Sequence, residues 1–150
     1  MKPNILMFLV LCCSLLSNTG TGQLPKTVIG VFDGRTPCQD IAKQIDEKVT
    51  DECTKIKWRL TLYKDSVSTN EGTYDLQGFV YKKDKPRSGK WHIIKGSKAD
   101  NDAIIYRLEL EGKDPLLLQK ADDNILFFLD KEKAIMVGNR DFSYTLNRKK

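Results

Sequence analysis

The sequence predicts an all-β protein: a small antiparallel up-and-down barrel of about eight strands, lipocalin-like, with one short helical insert. Three observations carry that expectation. Apolar and polar residues alternate with a period of two along most of the chain after residue 25, as in strands with one dry and one wet face. Gly-, Asp- and Asn-containing turn pairs separate these runs at short intervals, which suits hairpins rather than crossovers. One segment alone has a helical period. Closure into a barrel leaves no strand edge unpaired, whereas an open sandwich, the alternative, would leave several.

Lys26 to Phe32 is the first run, followed by Asp33-Gly34, a turn pair. From Gln39 to Val49, Ile41, Ala42, Ile45 and Val49 recur at helical spacing, with Asp40 near the start, where a helix dipole favours an acid. Thr54 to Asp65 is the clearest strand: Ile56, Trp58, Leu60 and Leu62 face one way, and Lys55, Lys57, Arg59 and Thr61 the other. Gly72 to Lys82 places Tyr74, Leu76, Gly78 and Val80 on one face. Ser88-Gly89 introduces Lys90 to Lys95, in which Trp91 and Ile93 alternate with His92 and Ile94. Ala103 to Glu111 sets Ile104, Tyr106, Leu108 and Leu110 against Ile105, Arg107 and Glu109. Leu116 to Lys120, Ile125 to Asp130 and Lys133 to Val137 come next, before Gly138-Asn139 turns the chain into Phe142, Tyr144 and Leu146.

Residues 1–22 read as a signal peptide ahead of a single domain over 23–150. Lys2 precedes an apolar run from Ile5 to Leu16, which is short for a permanent membrane span and fits a secretory signal. Gly20 and Gly22 suit cleavage before Gln23. Cys12 and Cys13 raise the alternative of a lipid anchor to the outer membrane, but neither follows the small residue that lipidation favours. The expected location is therefore the periplasm or the extracellular space, with no transmembrane segment in the mature chain. Cys38 and Cys53 are the cysteines left after cleavage, and disulfides persist in exported chains. A Cys38–Cys53 bridge is expected, clamping the helical insert to the start of the long strand. A metal pair or a nucleophile is the competing use of these thiols.

A series of short motifs runs along the chain, beginning with Gly30-Val31-Phe32-Asp33-Gly34-Arg35-Thr36-Pro37-Cys38 and continuing with Arg59-Leu60-Thr61-Leu62-Tyr63-Lys64-Asp65. Gly72-Thr73-Tyr74, Gly89-Lys90-Trp91 and Asp123-Asn124-Ile125-Leu126, the last running to Asp130, complete the series. In order and spacing, over nearly all of residues 27–147, these pieces resemble the N-terminal domain of the NlpE-like copper-resistance lipoproteins. The resemblance implies a small lipocalin-like barrel acting in envelope stress. The family carries C-x-x-C after the proline, linked to copper handling. Here Gln39-Asp40-Ile41 follows Cys38, so Ile41 stands where the second thiol would be. Monovalent copper asks for at least two soft donors, and a Cys38–Cys53 bridge would consume both thiols, so no metal or other cofactor is expected.

The remaining chemistry is sparse. With 25 Lys and Arg against 20 acids, the net charge is +5 and is spread along the chain, unlike the basic face of a nucleic-acid binder. His92 beside Trp91 comes with no nucleophile motif, so no catalytic residue is expected. Asp100-Asn101-Asp102 and Asp122-Asp123-Asn124 are oxygen-rich but lack the glycine and distal glutamate of a calcium loop, and read as turns. Trp58, Tyr74, Trp91, Tyr106, Phe127 and Tyr144 either fill the barrel or line a cavity for an apolar ligand. The expected function is that of a non-enzymatic envelope protein acting through protein or ligand binding. A lipocalin-like carrier of a small apolar molecule is the alternative.

Overall fold

The computed structural model describes residues 26–64, 68–78 and 85–150. The expected signal peptide with Cys12 and Cys13, and Val80 at the end of the third predicted strand, lie outside the described residues. Among the described residues, eight antiparallel strands in sequential order close into a barrel, as the alternation predicts. They are β1 (Thr27–Pro37), β2 (Lys55–Lys64), β3 (Glu71–Gln77), β4 (Arg87–Lys95), β5 (Ile104–Leu108), β6 (Leu116–Lys120), β7 (Ile125–Leu129) and β8 (Thr145–Arg148). Helix α1 (Gln39–Gln44) lies between β1 and β2.

Strand β2 behaves as its pattern requires, with Ile56, Trp58, Leu60 and Leu62 buried and the residues between them turned outward. Its length explains the first departure from expectation. Strand β1 does not turn at Asp33-Gly34 but continues to Pro37, with Asp33 opposite Arg59, Gly34 opposite Trp58 and Arg35 opposite Lys57. Turn propensity at an Asp-Gly pair is a local preference, and β2 offers a full-length partner that outweighs it.

Ser88-Gly89 is likewise inside strand β4 rather than ahead of it, with Gly89 opposite Tyr74. Glycine is needed there for close approach: a Cβ on Gly89 would come within 2.6 Å of the Tyr74 hydroxyl and 2.8 Å of the Glu109 carbonyl oxygen. Gly72 plays the same part opposite Trp91, whose indole lies 2.9 Å from where that Cβ would be. Lys133 to Val137 forms no strand, only an isolated bridge between Leu129 and Ile135, and Val137 is 87% exposed.

Helix α1 is shorter than its period suggests. It stops after Gln44 because Asp46 adopts a left-handed φ of 53°, and Val49 reaches the core from irregular chain beyond it. Ile41, Ala42 and Ile45 are buried, and the two isoleucines join the same cluster as the inward residues of the barrel. The side-chain amide of Gln44 donates to the Leu129 carbonyl, and Tyr144 Oη–H donates to Asp40 Oδ2 at 3.0 Å. These contacts set α1 across the end of the barrel where β1 and β7 finish.

The core inside the barrel is one continuous cluster around Trp91, Tyr74, Phe128, Leu60 and Leu118. A second, smaller cluster lies on the outer face, where Ile105, Leu117 and Leu129 meet Ile94. In β5 the expected face holds for Tyr106 and Leu108, but Ile104 is exposed while outward Ile105 is fully buried. The connections flanking this patch are joined by a 2.9 Å hydrogen bond from the Lys98 N–H to the Lys133 carbonyl.

Candidate functional site

The aromatic side chains proposed as cavity lining divide into three groups. Trp58, Tyr74, Trp91 and Tyr144 are buried in the inner core. Tyr106 is partly buried and meets Trp91 edge-on, with ring centroids 5.3 Å apart. Phe127 belongs to the outer face, and the inward ring of β7 is Phe128, packed 5.6 Å from Trp58 and 6.4 Å from Tyr144. Two adjacent phenylalanines leave the strand's phase ambiguous in sequence; pairing of Leu126 with inward Leu146 fixes it.

The polar ends of the four buried rings, Trp58, Tyr74, Trp91 and Tyr144, are bonded to protein. Trp58 Nε1–H donates to Thr36 Oγ1 at 2.9 Å. Trp91 Nε1–H is shared between the carbonyls of Tyr63 and Thr73, both at 2.9 Å. Tyr74 Oη–H donates to the Glu109 carbonyl at 2.7 Å. Burial, reinforced by the carboxylate of Asp40, pushes the Tyr144 hydroxyl far above the usual tyrosine range. Such an arrangement supports packing, because buried polar groups without partners would be costly.

A recess of about 660 Å³ opens instead on the outside of the barrel. Its floor is the outer face of β8, β1, β2 and β3, and its wall is the segment Asp141, Phe142 and Ser143. The Asn139 side chain shapes that wall by accepting hydrogen bonds from the N–H groups of Asp141 and Phe142, at 2.9 and 2.8 Å. Across the floor, Arg59 grips Asp33 with two hydrogen bonds, Nε–H to Oδ1 and Nη2–H to Oδ2, each 2.7 Å. That grip, opposed by modest burial, holds the Asp33 carboxyl below the usual range. Arg35 and Lys57 lie directly opposite one another on the next outward rung, both exposed. Among the described residues neither takes part in an ion pair. At the wall, Lys55 Nζ stands 5.7 Å from the centroid of the Phe142 ring.

The other singled-out residues have structural employment. Cys38 and Cys53 form a disulfide with Cα atoms 5.7 Å apart. The side-chain amide of Gln39 reinforces it by donating to the carbonyls of Thr50 and Cys53, at 2.9 and 3.1 Å. His92 is half-exposed on the outer face with Nδ1 3.7 Å from Glu109 Oε1. Asp100 and Asp122 cap their turns by accepting from the N–H groups of Asp102 and Asn124, at 2.9 and 2.7 Å. Among the described residues no cluster of three or more His, Cys, Asp or Glu side chains has metal-binding proximity, and no helix is long and apolar enough to cross a membrane. Arg148 is tied into the fold: its Nη1–H donates to the Ile29 carbonyl at 2.9 Å and its guanidinium covers Phe32 at 4.9 Å.

Sequence reasoning missed the recess altogether. Outward Lys57 and Arg59 are legible on β2, but Asp33 falls in the expected Asp33-Gly34 turn and Arg35 beyond the expected end of the first strand. No family model, curated protein or solved structure matches the chain.

Proposed function

We propose that the chain is a non-enzymatic, exported barrel of the bacterial cell envelope that works by binding at its outer surface, as the resemblance to the NlpE-like proteins suggests. The observation that carries this reading is the packed interior among the described residues. The buried rings of Trp58, Tyr74 and Trp91 lie in one core with their polar ends bonded to protein, while the recess and its exposed cations lie outside. An apolar-ligand carrier of this size needs open interior volume lined by apolar side chains. The disulfide supports export, since such bridges persist in oxidising compartments. Both cysteines of the described residues are used in that bridge, so the reading involves no thiol–copper chemistry.

Native mass spectrometry and organic-solvent extraction of the purified protein, expressed with its leader and recovered from the envelope or medium, test the reading. A polypeptide carrying one disulfide and no extractable molecule is the expected result. A lipid or other apolar molecule recovered in stoichiometric amount overturns it and makes the barrel a carrier.

A further inference from the structure

Opposite charges facing each other across an antiparallel pair stabilise a sheet, and like charges directly opposite destabilise it. The β1–β2 ladder contains both cases side by side. Asp33 and Arg59 face each other and are bonded through both carboxylate oxygens. One outward rung along, Arg35 faces Lys57, cation against cation, on the floor of the recess. We infer that this rung is an anion-binding centre, and that the ligand of the recess is an acidic saccharide.

The anion follows from the charge. Arg59 is neutralised by Asp33, so Arg35 and Lys57 are the cations left open on the floor, and Lys55 adds another beside the Phe142 wall. The acid on the wall, Asp141, is itself exposed and leans toward Arg140, with 3.7 Å between Oδ1 and Nε. An oxyanion seated between Arg35 and Lys57 converts their repulsion into two charge-assisted contacts, and a guanidinium fits carboxylate or phosphate in a bidentate manner.

The saccharide follows from the rest of the lining. Gln77, Ser143, Thr145 and Asn147 supply amides and hydroxyls, groups that both donate and accept and so match sugar hydroxyls. Phe142, in the lining beside the Lys55 ammonium, adds apolar surface suited to the carbon side of a sugar. A recess of about 660 Å³ is in the range of small-molecule sites. The inference rests on the reading that the outside of the barrel does the binding.

Isothermal titration with trigalacturonate, glucose 6-phosphate, maltotriose and inorganic phosphate tests it, on the wild type and on Arg35→Ala and Lys57→Ala. Both substitutions are at exposed positions, and circular dichroism verifies the fold of each variant. At least one acidic sugar should bind in low salt, weaken as salt screens the charges, and bind at least about tenfold more weakly to each variant. Binding of trigalacturonate alone assigns a carboxylate to the ligand, and binding of glucose 6-phosphate alone a phosphate. Failure of both acids to bind, or an affinity in the variants equal to that of the wild type, refutes the site. Maltotriose binding as well as the acids, or inorganic phosphate as well as glucose 6-phosphate, refutes the acidic-saccharide assignment. Recovery of a stoichiometric apolar molecule on extraction sinks the outer-surface reading, whereas silent isotherms with nothing extracted sink the saccharide site alone.

Discussion

Trp58 and Lys57 are neighbours in sequence on β2, yet they stand in opposite physical situations. Trp58 points inward, is 3% exposed, and gives its one polar hydrogen to Thr36. Lys57 points outward and faces Arg35, a residue of its own charge. The same contrast separates the two sides of the whole barrel wall near β1 and β2. Inside, the polar groups of the buried rings Trp58, Tyr74, Trp91 and Tyr144 have protein partners; outside, a satisfied rung at Asp33–Arg59 adjoins a repelling one at Arg35–Lys57. Folding free energy is concentrated on the inner face, where a lost contact leaves a cavity or an orphaned polar group. The outer face is where stability can be conceded to a ligand at small cost, because water screens what the fold leaves unpaired.

The largest break in this comparison comes from Trp91→Ala. The ring is almost completely buried and interlocked with Gly72, so its removal should cost about 3–5 kcal/mol, as large-to-small core changes do. Chemical denaturation of wild type and variant measures the difference; a loss under 1 kcal/mol would mean an interior less tightly packed than described.

Reduction of the Cys38–Cys53 bridge comes next and tests how far the capped end belongs to the core. The bridge spans a separation of 15 residues, so its entropic contribution is on the order of 3 kcal/mol. Reduced protein should keep its strand signal in far-UV circular dichroism and melt at a lower temperature. Complete unfolding would show that α1, through Ile41 and Ile45, is required for the barrel and not merely docked on its end.

Tyr144→Phe removes the hydrogen bond to Asp40 while keeping the ring. Since Asp40 is exposed and can be rehydrated, the cost should be about 1 kcal/mol. Its pH dependence is more informative. The folded Tyr144 hydroxyl is held protonated by burial and then by Asp40, whereas an unfolded tyrosine ionises near about pH 10. The wild type therefore keeps this contribution below that pH and loses it as the pH rises further, because the unfolded state releases the proton first. Tyr144→Phe should shorten that alkaline loss. An unchanged alkaline limb would place the hydroxyl in contact with water.

The smallest effects, of opposite sign, separate the two outward rungs. Arg59→Ala should lose about 0.5 kcal/mol near neutral pH, since the pair is more than one-third exposed and screened. Asp33 is depressed in the fold by Arg59, so the lost stability is the part present above the ordinary carboxylate range and absent once pH falls through the folded value. Arg35→Ala should change stability by about 0.3 kcal/mol or less, in the stabilising direction, because it relieves a like-charge rung. Thermal melts at pH 7 and pH 3 compare them. Destabilisation by Arg35→Ala as large as that by Arg59→Ala would erase the distinction between the rungs.

Much of the barrel was legible because its cause is local. Ile56, Trp58, Leu60 and Leu62 alternate without interruption, and a strand that buries one face has few other options. Cys38 and Cys53 were legible as a pair because they are the two cysteines beyond the expected signal peptide, and the structure bonds them to each other. The recess was not legible, because its floor depends on β1 running past Asp33-Gly34, and that continuation is decided by a partner more than 20 residues away.

By itself the sequence determined the class, the sequential order of the strands, the buried face of β2 and the position of the helical insert, while one run it offered, Lys133 to Val137, forms only a bridge. Periodicity and turn chemistry act over a few residues and survive any arrangement of the rest. Tertiary structure decided where strands begin and end, as at Ser88-Gly89, which cross-strand pairing with Asp75 and Tyr74 draws into β4. It also decided the phase of β7, putting Phe128 rather than Phe127 inside, and it buried outward Ile105 in a second cluster. Above all it set Arg35 against Lys57. Which charge faces which is a matter of register, and register is fixed by the summed burial of inward side chains along two strands, not by the residues that end up facing each other outside.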